Sequence, residues 1–266
     1  MLTAEEPRVN RFSKWIPLGA GAAALGAMLI CAACGTSSTP ASKVTEMRVV
    51  HLAPDEQPLD LLIDNKVVFS SLTYGVPTAF SSITAVNHDL KLNLSGAPTN
   101  ILDNPQETFT GNTSYTYLIV GTATSLRSNK LTDDHTKADT GMFKLRVVNG
   151  SPNSGPLDVY VVNPGTDFIN TVVKPTIGGL ASEAASTYQT LASGGYNIYV
   201  TPGGDGSCLT PPPPNPPKPP LCPINIDGRN GTAVPSFQAG QNRTLILLNQ
   251  IPGSGLTTLP ILADLN

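Results

Sequence analysis

Two tandem antiparallel β-sandwiches are what this sequence predicts, and three observations predict them. Short β-branched or aromatic runs, among them Arg48 to Leu52, Leu59 to Ile63, Asp89 to Leu94 and Tyr115 to Gly121, are separated by Pro, Gly and Asn at strand-like intervals. Long stretches of 3.6-residue period are missing, and only Leu180 to Tyr188 reads as a helical turn. The chain also contains its own copy. Together these predict an all-β protein of two immunoglobulin-like sandwiches, each of roughly seven short strands.

The chain opens on a different kind of segment. Arg8, Arg11 and Lys14 precede an apolar run from Trp15 to Ala33, the order of a charged region followed by the apolar core of an export signal. The run ends in Cys31-Ala32-Ala33-Cys34-Gly35, and small residues before a cysteine resemble the lipobox of bacterial lipoproteins, in which the cysteine thiol is acylated and the preceding bond cut. Cys34 is therefore the expected lipidation site. Two alternatives stay open: plain secretion by cleavage after Ala33, and an uncleaved membrane span. At ~1.5 Å per residue the run would reach roughly 28 Å, about one hydrocarbon core. All three readings export the rest. Residues 1–33 are read as signal peptide and 34–44 as the lipidated cysteine with a Ser/Thr-rich flexible tether. Without the leader, 13 basic and 17 acidic side chains remain, and such an acidic surface does not seek nucleic acid.

The duplication sets the domain count. Met47-Arg48-Val49-Val50-His51-Leu52-Ala53-Pro54 recurs as Leu145-Arg146-Val147-Val148-Asn149-Gly150-Ser151-Pro152, and Pro58-Leu59-Asp60 recurs as Pro156-Leu157-Asp158, at a constant offset of 98 residues. Half of the fourteen positions are identical, far above chance, so the repeat is a true internal copy. Further along, Phe80 and Ile83 correspond to Tyr188 and Leu191, and Leu90 and Leu92 to Ile198 and Val200. Phe109 then corresponds to Phe237, and Tyr115 to Val120 is aligned with Thr244 to Asn249. Leu131-Thr132-Asp133 and Leu262-Ala263-Asp264 close the two copies. The expected division is a first repeat over 45–134, a linker over 135–141 and a second repeat over 142–266.

Arg48-Val49-Val50-His51-Leu52-Ala53-Pro54-Asp55 with Pro58-Leu59-Asp60 resembles the opening of the family called "domain of unknown function 4397", whose members typically begin R-x-V-H-A-S-P-D-A-P-x-V-D-V-Y-V. The second copy departs at Asn149 and Gly150 but keeps Ser151-Pro152 and Leu157-Asp158-Val159-Tyr160-Val161. Tyr188, Leu191, Gly194, Gly195 and Tyr196 fit the family's later pattern of an aromatic and a Leu before a Gly-rich turn. The resemblance covers nearly all of 45–266. It implies an extracytoplasmic β-sandwich, often in tandem and often on lipoproteins, and carries no activity to transfer. In the first copy His88-Asp89 stands where the family has its Gly-rich turn, so that hairpin is expected to differ.

If Cys34 is acylated, Cys208 and Cys222 are left as an even pair in an oxidising compartment, and a disulfide between them is expected. They bracket a proline-rich insert, 208–222, which cannot join a sheet and suits stiff polyproline II segments. Closing such a loop stabilises by on the order of 3 kcal/mol in the chain-entropy account.

No constellation rises to a catalytic site. His51, His88 and His135 lack ligand partners at metal-binding spacing, and Asp133, Asp134, His135 and Asp139 read as a solvated linker rather than a cation loop. Asp60 and Asp158, repeated beside apolar residues, suit turn capping more than acid-base work, which needs a second positioned carboxylate. Gly253-Ser254-Gly255 lacks nucleophile-elbow spacing, and Gly203-Gly204-Asp205-Gly206 opens no helix that would bind phosphate. No cofactor or metal is expected. The sequence thus points to a non-enzymatic binding or structural module of the cell envelope, tethered by lipid at an outer membrane or cell surface. Its expected partners are the membrane itself and an envelope polysaccharide or protein, although the seven tyrosines fall mostly on strands. The alternative is an envelope hydrolase with a site assembled between the two repeats.

Overall fold

The structure is a computed structural model, and it describes residues 43–166, 173–203 and 235–249 together with the short strands at 224–225, 256–258 and 262–263. The signal segment, Cys34, the tether as far as residue 42, Cys208, Cys222 and the proline-rich insert lie outside the described residues.

The first copy forms eight strands rather than about seven: β1 (Val44–His51), β2 (Leu59–Ile63), β3 (Lys66–Leu72), β4 (Ser81–Thr84), β5 (Asn87–Leu94), β6 (Asn100–Thr108), β7 (Ser114–Thr122) and β8 (Ser125–Thr132). They make two four-stranded sheets, β4-β1-β7-β8 and β3-β2-β5-β6. Met47, Val49, Tyr117 and Ile119 from one sheet meet Leu59, Leu61, Leu90 and Leu92 from the other in the core between them, as period-2 alternation requires.

The second copy repeats the plan. Its strands are β9 (Met142–Asn149), β10 (Leu157–Val162), β11 (Ile177–Leu180), β12 (Gln189–Ala192), β13 (Gly194–Gly195), β14 (Asn197–Pro202), β15 (Ile224–Asn225), β16 (Ser236–Phe237), β17 (Asn242–Asn249), β18 (Leu256–Thr258) and β19 (Leu262–Ala263). One sheet runs β12-β9-β17-β18 with β19 also on β17, the other β11-β10-β14-β15, and β13 pairs β16. Phe143, Leu145, Val147, Val159, Ile198 and Leu245 lie in the core. Leu180 to Tyr188 is not helical: Leu180 ends a strand, and Ala185 bridges to Val148.

Two details depart from the sequence reading. In each copy one strand pair is parallel, β1 with β7 and β9 with β17, inside otherwise antiparallel sheets. The register also corrects the alignment of the last strands. Arg48 faces Thr116 and Arg146 faces Thr244, so Thr116, not Tyr115, corresponds to Thr244. Side chains alternate with period 2, so a one-residue slip sends each to the wrong face. Phe109 and Phe237 fix the right spacing.

From Ser42 onward the chain is one unit, because the two sandwiches pack through equivalent faces. Val50, Leu52, Leu118 and Val120, pointing away from the first core, meet Val148, Ile246 and Leu248, pointing away from the second. Strands β1, β7, β9 and β17 are thereby buried on both sides. Fully burying such a side chain stabilises by about 1.5–3 kcal/mol, so this is a shared core rather than a flexible joint. Within it Leu52, fully buried, fits against Gly150, its own counterpart in the repeat. A Cβ on Gly150 would lie 2.9 Å from the Leu247 carbonyl oxygen and 3.1 Å from Leu52 Cδ1.

Candidate functional site

The two arginines that recur in the repeat meet in this shared core. Arg48 and Arg146 alternate with Val49 and Val147, so when the valines enter the sandwich cores the arginines enter the interface, 3% and 4% exposed. Each guanidinium engages the threonine across the parallel pair. Arg48 Nε donates to Thr116 Oγ1 at 2.8 Å, and Arg146 donates to Thr244 Oγ1 from Nε at 3.2 Å and from Nη2 at 3.0 Å. Each also lies over a ring, Arg48 on Phe80 at 4.7 Å and Arg146 on Tyr188 at 4.8 Å. Between them sits Asp133, whose side chain is fully buried. It accepts from Arg146 at 2.5 Å and from the Thr116 hydroxyl at 2.8 Å, and lies 3.8 Å from Arg48. Buried charges require such pairing. Arg146 also bonds the Thr132 carbonyl at 3.0 Å, which ties the end of the first copy to the second.

The sequence reading treated Asp133 as part of a solvated linker, and the structure corrects this: the chain turns inward at Asp133, whose amide donates to the Ser114 carbonyl at 2.9 Å. Asp134 pairs with Lys144 at 2.6 Å and accepts from the amide and hydroxyl of Thr136. Burial opposes the ionised form of Asp134, yet the lysine and the threonine together hold its carboxyl below the usual range. Among the described residues no three His, Cys, Asp or Glu side chains gather as metal ligands.

Asp60 and Asp158 are where the sequence placed them in function: both bond main-chain amides. Asp60 accepts from Ser71 N at 2.7 Å and Gly96 N at 3.3 Å, and Asp158 from Gly179 N at 2.6 Å. Burial works against the Asp60 charge, but the Ser71 amide, Ser95 hydroxyl and Gly96 amide outweigh it and lower its pKa. Ser71 and Gly179 both hold left-handed backbone, φ 52° and 61°, which glycine tolerates and serine does not favour. The carboxylate thus holds a strained bulge in place. Asp60→Ala is expected to cost about 1 kcal/mol in urea denaturation and to raise amide exchange at Ser71 first.

Thr84, His88 and Asp64 look at first like a nucleophile-base-acid row. His88 Nδ1 lies 2.6 Å from Asp64 Oδ2, and Nε2 lies 3.0 Å from the Thr84 hydroxyl. Nε2 also lies 2.9 Å from the Thr84 carbonyl, which can only accept. That nitrogen therefore carries a proton and cannot take one from the threonine. The second copy makes the same bond with another residue, Tyr196 Oη donating to the Ala192 carbonyl at 2.6 Å. His88 is a hairpin staple, and the two hairpins, expected to differ, close on equivalent carbonyls.

His51 is fully buried at the end of β1. Its Nδ1 accepts from the Ala53 amide at 3.4 Å, its Nε2 has no hydrogen-bond partner, and Tyr74 meets the ring edge-on with centroids 6.3 Å apart. Asn149, its counterpart, accepts from the Ser151 amide at 3.3 Å and donates to the Leu180 carbonyl at 3.1 Å.

Of the seven tyrosines, Tyr115, Tyr117, Tyr160 and Tyr196 are buried, and Tyr74, Tyr188 and Tyr199 are half-buried. Among them, the Tyr188 ring carries the Arg146 guanidinium.

Residues 45–160 match the family model described as Domain of unknown function (DUF4397). The DUF4397 match covers the whole first sandwich and runs through β9 into β10, so it includes Arg48, Asp133 and Arg146. No curated protein matches the chain. Sequence reasoning had the arginines only as letters of a motif. The signal that exposes them is an Arg at the same place in both copies, in register with apolar residues on the same strand face.

Proposed function

We propose that the chain is a lipid-anchored, exported module of the cell envelope, built of two DUF4397-type sandwiches, that binds or supports other envelope components without catalysing a reaction. One observation carries this reading: among the described residues, the recurring arginines and aspartates are engaged in architecture. Arg48, Arg146 and Asp133 join the sandwiches, and Asp60 and Asp158 hold bulges. An apolar cluster and these ion pairs lie between the repeats, where a hydrolase site would have to be assembled, and this supports the non-catalytic reading over the hydrolase. The anchor at Cys34 and the staple between Cys208 and Cys222 rest on the sequence alone.

Intact mass spectra of protein purified from membranes, with and without reduction and beside a Cys34→Ala variant, test the placement. A diacyl or triacyl mass beginning at Cys34, gaining two hydrogens on reduction, is expected. An unmodified full-length mass overturns the anchor, and no gain on reduction overturns the disulfide.

A further inference from the structure

We propose that His51 is an acid-sensitive latch, whose protonation releases the 53–58 loop of the first sandwich and with it the adjoining edge of the interface between the two copies.

The geometry carries this. A neutral imidazole accepts a bond through one nitrogen, and His51 Nδ1 does so from the Ala53 amide. A protonated ring has two donors and no acceptor, so that bond cannot survive. The ring is fully buried and its second nitrogen has no hydrogen-bond partner, so an added charge would be desolvated. Consistent with this, burial lowers the affinity of His51 for a proton below the ordinary histidine value, against an opposing pull from the main chain of Gln57 and Glu56. Those same main-chain groups, at the far end of the loop, are the acceptors open to a protonated ring once the Ala53 bond is gone.

Only burial and main-chain groups shift the proton affinity of His51, and neither carboxylate of the loop is among them. On the loop itself stand Asp55, whose carboxylate is engaged by the Ala123 amide at 3.0 Å, and Glu56, whose carboxylate accepts from the Gln57 amide at 2.9 Å. Across the bridge from His51 is Tyr74, and along β7 are Ile119 opposite and Tyr117 two residues back. From the facing sheet, β2 begins and β3 ends in the buried, uncharged Leu59 and Leu72. The loop is coupled outward in two directions. Asp55 holds the turn between β7 and β8, and Leu52, between His51 and Ala53, is the side chain that fits against Gly150. The second copy lacks the latch, because Asn149 makes the same turn bond without a titrating group.

The sign follows from linkage. The unfolded chain binds the proton more readily than the folded one, so the contribution of His51 is complete above pH 6.5 and is lost as pH falls below it, by at most about tenfold in the folding equilibrium per pH unit. The test compares the full chain with His51→Asn from pH 7.5 to 5, following urea denaturation and amide exchange at Ala53. Native protein is expected to lose stability and Ala53 protection together on acidification. The variant, which keeps His88 and His135, is expected to show a flatter profile. Identical profiles overturn the proposal, as does Ala53 protection in the native protein that does not change down to pH 5, a readout that stands even if the variant fails to fold.

Discussion

Replacing Asp133 by Ala is expected to destabilise the protein by about 3–5 kcal/mol, because it leaves two guanidiniums in the interface without the carboxylate between them. An exposed ion pair of the same composition would be worth less than about 1 kcal/mol, so the size of the loss separates the two cases. A sharper comparison follows from the desolvation argument. Replacing Arg48 and Arg146 with Met together with Asp133→Leu removes the charges as a set, and that triple variant is expected to be more stable than Asp133→Ala alone. Urea denaturation of the three proteins measures both. A loss below 1 kcal/mol for Asp133→Ala would mean that water reaches the network and that it does not join the copies.

The second large effect is steric. Gly150→Leu places a side chain where even a Cβ meets a main-chain oxygen at 2.9 Å and Leu52 at 3.1 Å. Overpacking of a core ordinarily costs about 1–3 kcal/mol, and this position is expected at or above the upper end because the nearest obstacle is backbone. Leu52→Ala alone is also expected to destabilise, by about 2–5 kcal/mol, since it opens a cavity. Combined, the two changes are expected to cost less than their sum, with a coupling of about 0.5–3 kcal/mol. Full additivity in thermal or urea unfolding would show that Leu52 and Gly150 do not share one space.

Much of the architecture was legible in short windows of sequence. Alternation in runs such as Leu59 to Ile63 and Asp89 to Leu94 marked strands, and the repeated Arg-Val-Val motif marked two copies. What stayed hidden depends on pairs far apart in the chain. The parallel partnership of β1 with β7 joins residues 68 apart, as Arg48 and Thr116 are, and no local pattern announces it. The same gap allowed the one-residue error in aligning Thr116 with its counterpart, since a strand's faces are assigned only once its neighbour is known. Burial of Arg48, Arg146 and Asp133 was hidden for a different reason: charged residues are ordinarily exposed, and only the meeting of two sandwich faces turns them inward. The one row that looks catalytic, Thr84, His88 and Asp64, exists only in the fold, and the same geometry dissolves it through the Thr84 carbonyl beside His88.

The unequal pair Leu52 and Gly150 bears on how a duplicated protein keeps its halves apart from those of its neighbours. Faces descended from one ancestor are self-complementary in principle, so either half has the means to dimerise with its like on another molecule. Here Leu52 against a second Leu52 would overfill the contact, and Gly150 against a second Gly150 would leave it hollow. Only unlike halves close it, and the cheapest source of an unlike half is the same polypeptide. Divergence at one position thereby sets the packing of the two copies within one chain apart from the packing of like against like.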